Sequence, residues 1–198
     1  GDETWLAKAH VIPPAYNSEW YGKAGLPILL SQKKPTGKVI AHLGTLHPFR
    51  KPHILYEGIA RMRHLHPGLA AELSLWLVGS LDVSFANLEV EAGVAEHVRF
   101  VSPVPYLESL AVMKAADVLL LVDPPVKKNV ILPSKLIDYL GARKPILAIT
   151  SRGSLTARLM DAWGQPWCDC SDGDAVAAQL RRVASGELWA APADTFLN

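Results

Sequence analysis

LPSKLIDYLGARKPILAIT, residues 132–150, is the stretch on which the rest of the chain hangs. Pro133 suits a first helical turn, where its missing N–H costs nothing, and Ser134 is a residue of capping type. Leu136, Ile137 and Leu140 recur at helical spacing, with Lys135, Asp138 and Tyr139 off that stripe. Gly141 fits a left-handed exit, and Lys144 and Pro145 end the turn. Residues 146–149 form a short apolar run, as in a strand covered on both faces. A helix start carries free backbone N–H groups and the positive dipole end, which favour a phosphate. Asp138, one turn in, is placed to accept hydrogen bonds from a ribose. The same residues also read as an ordinary surface helix packed on a sheet.

Working outward, the apolar runs at 38–44 (KVIAHLG), 72–79 (ELSLWLVG), 97–101 and 117–122 (DVLLLV) are strands, with a further short strand at 167–168. Between and after them the pattern predicts helices over 53–66, 83–95, 106–116, 154–163 and 172–185. Strands alternating with helices imply right-handed crossovers and a doubly wound, parallel α/β sheet of Rossmann-like type. Residues 1–37, with a short strand at 10–12 and a Gly- and Pro-containing loop, read as a linker. Residues 38–185 read as the domain and 186–198 as an extended arm. The abrupt Gly1–Asp2 start suggests a piece of a longer protein.

In such sheets ligands sit beyond the carboxyl ends of the strands, which directs attention to four loops. The first, GTLHPFRKP, places Gly44 and Thr45 at a strand end and Arg50 and Lys51 before a helix, where two cations could hold a diphosphate. The second has Gly79, which permits close backbone approach. The third offers backbone groups of Val101, Ser102 and Val104 to a base edge, with Tyr106 or Leu107 as an apolar wall. The fourth, DPPVKKNVILPSK, carries Asp123, Lys127, Lys128 and Asn129 as its most polar group toward the crevice. Each also has a plainer reading, as solvated side chains or simple turns.

Other classes fall away. A net charge of +1 supplies no field for nucleic acid or an anionic membrane. Two cysteines, 168 and 170, stand one residue apart, too close for an unstrained bridge and too few for zinc; they read as reduced thiols of a cytoplasmic protein. No apolar run reaches the roughly 18 residues of a membrane span. Glycine-rich dinucleotide, phosphate-loop and nucleophile-elbow signatures are missing. The histidines at 42, 47, 53, 64, 66 and 97 lack metal-ligand spacing, so no metal site is expected.

The series from Gly44 through LWLVG, VRFVSPVPYLESLAVMKAADVLLLV and LPSKLIDYLGARKPILAI resembles the C-terminal half of a GT-B glycosyltransferase, nearest the retaining, family-four-like enzymes that use nucleotide-diphospho sugars. The resemblance runs from about residue 39 to 182. PSKLIDYLGARKP, its most specific part, is similar to the family's Pro-Ser-Lys-Leu-x-Glu-Tyr-Leu-Ala-x-Gly-Lys-Pro. HVIPPAYN (10–17) resembles the linker strand from the N-terminal domain. The resemblance implies that Lys51 contacts the donor diphosphate and that Arg50 stands in for an arginine replaced here by Thr45. It implies that Asp138 takes the ribose hydroxyls, that Ser134, Lys135 and Leu136 meet the phosphates through the helix start, and that residues 101–104 border the base. The first acid of the family's pair falls on Val130, a departure. It further implies transfer of a sugar from a nucleotide-diphospho sugar, without cofactor or metal, to an acceptor held by an N-terminal domain outside this chain. A fragment of this kind is expected to be inactive alone, with peripheral contact to the inner membrane face left open. A non-catalytic interaction domain of the same ancestry and a nucleotide-sugar epimerase-like domain are the competing readings.

Overall fold

The computed structural model describes residues 8, 10, 14–28, 37–50, 52–126, 129 and 131–193. The strand expected at 10–12 falls mostly outside them. The elements in chain order are α1 (Ser18–Lys23), β1 (Lys38–Leu43), α2 (His53–Leu65), α3 (Pro67–Ala70), β2 (Leu73–Val78), α4 (Leu88–Glu91), β3 (Val98–Val101), α5 (Tyr106–Ala115), β4 (Val118–Val122), α6 (Lys135–Ala142), β5 (Ile146–Thr150), α7 (Leu155–Ala162), β6 (Trp167–Asp169) and α8 (Gly173–Ala184). The six strands form one parallel sheet in the order β3-β2-β1-β4-β5-β6. This is the doubly wound, Rossmann-like order, and its reversal point lies between β1 and β4.

Alternation along the strands builds two cores. Ala41 and Leu43, Leu119 and Leu121, and Ile146 and Ala148 face the layer of α1, α5, α6 and α7. Ile40, Leu120, Val122, Leu147 and Ile149 face α2 and α8. Both faces are covered, so the strands read as continuous apolar runs rather than as alternating ones.

Four local expectations are corrected. The helix over 83–95 is broken into a 3₁₀ turn at Val83–Phe85, α4, and a second 3₁₀ turn at Ala95–His97. The left-handed residues Asn87 (φ 66°) and Gly93 (φ 65°) interrupt it. Ser134 makes no side-chain cap; its backbone is already helical. Gly141 does not end α6. Arg143 takes the left-handed exit at φ 54°, while Gly141 lies inside the helix with the Tyr21 hydroxyl of α1 pressed against it, where a β-carbon would not fit. Finally, Tyr139 is off the apolar stripe but is fully buried, because its hydroxyl finds partners inside.

The segments flanking the sheet are tied to it. The Tyr21 hydroxyl donates to the Asp138 carbonyl at 2.7 Å, and Lys114 Nζ donates to the carbonyls of Tyr21 and Ala24 at the C-terminal end of α1. After α8, Trp189 Nε1 donates to the Ile146 carbonyl at 3.1 Å. Among the described residues no helix is long and apolar enough to cross a membrane.

Candidate functional site

β1 and β4 pair only at Ile40 with Val118 and Ala41 with Leu119, then part. Beyond that point side chains take over the backbone groups. Tyr139 Oη accepts from the Leu43 N–H at 3.1 Å and donates to the Leu120 carbonyl at 3.1 Å. The same carbonyl is 3.0 Å from His42 Nδ1. A carbonyl only accepts, so Nδ1 carries the hydrogen and Nε2 turns its lone pair outward, 3.1 Å from Lys135 Nζ. Burial, reinforced by the Lys135 charge, holds His42 well below the usual histidine range, which keeps it neutral and able to accept.

A cleft of about 440 Å³ opens where the strands part, at the carboxyl ends of β1 and β2 and the starts of α5 and α6. Gly44 and Thr45 form its floor with Gly79; Arg50 stands on one side, Val104 and Tyr106 on another, and Ser134, Lys135 and Asp138 close it. Two glycines make the floor possible. Gly44 has φ 118°, and a β-carbon there would come 2.8 Å from Lys135 Nζ. Gly79 has φ 141° and rests against the Gly44 backbone. The turn is held by Gly44 N–H to Val78 O (2.8 Å) and Gly79 N–H to Val101 O (2.9 Å).

At the α6 start the amides of Leu136 and Ile137 bond back to the carbonyls of Pro133 and Ser134 (3.0 and 3.1 Å). Those of Ser134 and Lys135 have no hydrogen-bond partner among the described residues and point to an anion-ready end. Burial and the nearby Arg50 charge lower Lys135 to about 8, with Asp123 opposing. Asp138 Oδ1 accepts from the Tyr106 hydroxyl at 2.7 Å, and Trp20 packs edge-on to the Tyr106 ring at 5.2 Å. The site is therefore cationic along the Gly44 turn and carries a carboxylate and an aromatic wall at the other end.

The structure thus brings nine of the residues singled out together in one cleft: Gly44, Thr45, Arg50, Gly79, Val104, Tyr106, Ser134, Lys135 and Asp138 line it. Val101 and Ser102 stand outside the lining, and Leu136 is in the core, 0% exposed. Lys51, Lys127, Lys128 and Val130 lie outside the described residues. Asp123 and Asn129 do not face the crevice: both are buried. Asp123 Oδ2 accepts from Thr150 Oγ1 at 3.0 Å, and Asn129 Oδ1 accepts from the Ile131 N–H. A small carboxylate at a strand end turns inward when a neighbouring strand offers a hydroxyl. Metal-ligand spacing does not single out His42. Its signal was a polar residue inside an otherwise apolar strand, KVIAHL, which burial obliges to find partners.

No protein-family model matches the chain. Over 88 residues, 41% of this chain, it is 33% identical to a D-inositol 3-phosphate glycosyltransferase of Corynebacterium efficiens. A protein of the same description from Stackebrandtia nassauensis is 33% identical over 87 residues. The matched stretch spans only 20% of either relative. Among solved structures, WaaG, a glycosyltransferase involved in lipopolysaccharide biosynthesis, superposes with a TM-score of 0.68 at 18% identity, covering 89% of this chain and 47% of WaaG. The C-terminal domain of a group 1 glycosyl transferase, LpcC from Francisella tularensis, gives a TM-score of 0.55 at 13% identity, with 88% of this chain and 90% of that domain covered. The chain has the fold of one half of a GT-B glycosyltransferase and spans about half the length of the full-length solved structures it matches.

Proposed function

We propose that the chain is the donor-binding half of a glycosyltransferase that takes a nucleotide-diphospho sugar and passes the sugar to an acceptor held by a domain outside this chain. The observation that carries the reading is the placement of Lys135, Arg50 and the open α6 start around one glycine-floored turn, with Asp138 one helical turn away. That spacing suits a diphosphate at the Gly44 turn and a ribose at Asp138, leaving the Val104–Tyr106 wall for the base. The likeness to curated glycosyltransferases supports it.

In this reading the bond between the sugar's anomeric carbon and the diphosphate oxygen breaks as a bond forms to an acceptor hydroxyl. The acceptor's proton passes to the departing phosphate. The chain's part is to stabilise the negative charge that grows on the diphosphate, through Lys135, Arg50, Lys51 and the helix start. We assign no step to a metal or cofactor. The chain alone binds donor and does not turn it over, and the whole protein works in the cytoplasm.

Calorimetric titration with UDP, GDP and ADP tests the reading. One nucleotide is expected to saturate, with affinity lost at least tenfold in both Asp138→Ala and Lys51→Ala. Failure of all three to bind a cooperatively folded chain and its full-length parent would overturn the donor-binding role.

A further inference from the structure

Resting on that reading, we propose that His42 is a positioning residue for the donor diphosphate: its neutral ring accepts from Lys135 Nζ and so holds the ammonium over the Gly44 turn, where the phosphates go.

The geometry is closed at each step. His42 is 0% exposed and meets no solvent. Its Nδ1–H is committed to the Leu120 carbonyl at the point where β1 and β4 part, which sets both the ring plane and the tautomer. Nε2 is thereby left with a lone pair, and Lys135 Nζ is 3.1 Å away. Lys135 starts α6 on the far side of the parting strands, and its stem crosses to Gly44, whose missing β-carbon leaves room for Nζ at 2.8 Å from where that carbon would stand. A lysine has four rotatable bonds and no directional preference of its own, so a single fixed acceptor determines where the charge sits. The other charged groups toward Lys135 are Arg50, from the loop after β1, and Asp123, at the end of β4. Arg50 repels the ammonium, and Asp123, already bonded to Thr150, attracts it into the interior. His42 settles this competition in favour of the cleft.

A neutral acceptor suits the task better than a carboxylate would. An acid at position 42 would neutralise the ammonium and repel the diphosphate. Imidazole orients the lysine and leaves its full charge to the ligand.

The test uses His42→Phe, which keeps the ring and removes the acceptor, and His42→Gln, whose amide can donate to Leu120 and accept from Lys135. Each is combined with Lys135→Gln and titrated with inorganic pyrophosphate and with the nucleotide that wild type binds. His42→Phe is expected to lose about tenfold in affinity and His42→Gln to restore most of it. In the Lys135→Gln background His42→Phe is expected to cost nothing more. A loss that persists in that background would mean a merely structural role and would overturn the proposal, as would wild-type affinity in His42→Phe. The Lys135 side-chain titration, followed by NMR on ligand-free protein, gives an independent readout. It should move further down in His42→Phe and return in His42→Gln; an unmoved titration would refute the contact whether or not nucleotide binds. Pyrophosphate binding without nucleotide binding would sink the donor reading and leave the His42 inference standing.

Discussion

The α-carbon of Gly79 packs against the backbone of Gly44, so that a β-carbon on Gly79 would collide with the Gly44 carbonyl. The contact joins the ends of β1 and β2, and Leu46 N–H to Ser80 O at 3.0 Å continues it as a parallel bridge between Leu46 and Leu81. The floor of the cleft is thus two glycine turns locked together.

Substituting either glycine should show this. Gly79→Ala meets backbone that cannot yield and a φ of 141°; Gly44→Ala meets the flexible end of Lys135 and a φ of 118°. A non-glycine residue in such a conformation costs about 1–3 kcal/mol. We expect Gly79→Ala to unfold earlier in urea than Gly44→Ala, and Gly44→Ala to lose more pyrophosphate affinity than stability. Equal stability of both variants with wild type would contradict the packing described.

Tyr139→Phe removes the hydroxyl that bridges the parted strands. Leu120 O keeps His42, but the Leu43 N–H is left buried without an acceptor. An orphaned buried donor costs about 1–3 kcal/mol. Equilibrium denaturation should show a loss in that range with the denaturant slope unchanged. No measurable loss would mean that water or a shifted strand replaces the bond.

His42 gives a signed acid dependence. Its folded pKa is depressed, so below the ordinary value near 6.5 the unfolded chain takes up a proton that the native state refuses. Stability should therefore fall as pH drops below about 6.5, by up to roughly 1.4 kcal/mol per pH unit from this one group. His42→Gln should flatten that slope between pH 6.5 and 5. The same slope in wild type and variant would show that other groups cause it.

Lys135 gives the alkaline counterpart. Lowered to about 8 in the native state, it loses its proton there while the unfolded chain still holds one up to its ordinary value of 10.5. Stability should rise with pH from about 8 toward 10, where unfolded-state tyrosines begin to oppose it, since burial raises Tyr139 and Tyr56. Diphosphate affinity should fall over the same window as the cation is lost. Lys135→Met should remove both trends; a variant that keeps them would shift the assignment to another group.

Docking of α1 is tested through Gly141→Val. The Tyr21 ring occupies the space a side chain would need, and its hydroxyl holds the Asp138 carbonyl. The variant should expose residues 14–28 to limited proteolysis and cost about 1–3 kcal/mol, as overpacking does. Resistance equal to wild type would show that α1 can reseat elsewhere.

The parallel, doubly wound sheet was written in the chain itself. Apolar runs such as VLLLV at 118–122 and ILAIT at 146–150 are strands because both faces are covered, and helices between them leave little choice of connection. Glycines 44 and 79 and the cation-bearing loop were legible for a similar local reason: their types announce tight turns and phosphate chemistry wherever they end a strand. Pairings across the sheet were not legible. Tyr139 could be placed inside only once Leu43 and Leu120, 96 and 19 residues away, stood ready for its hydroxyl. Gly141 could be given to helix packing only once Tyr21 arrived from α1. Asp123 turned inward because Thr150 was beside it, and His42 met Lys135 because two strands parted between them. Residue type and spacing determine which groups need a partner; which partner each one gets is settled by burial, when the chain brings distant polar atoms to the same dry place.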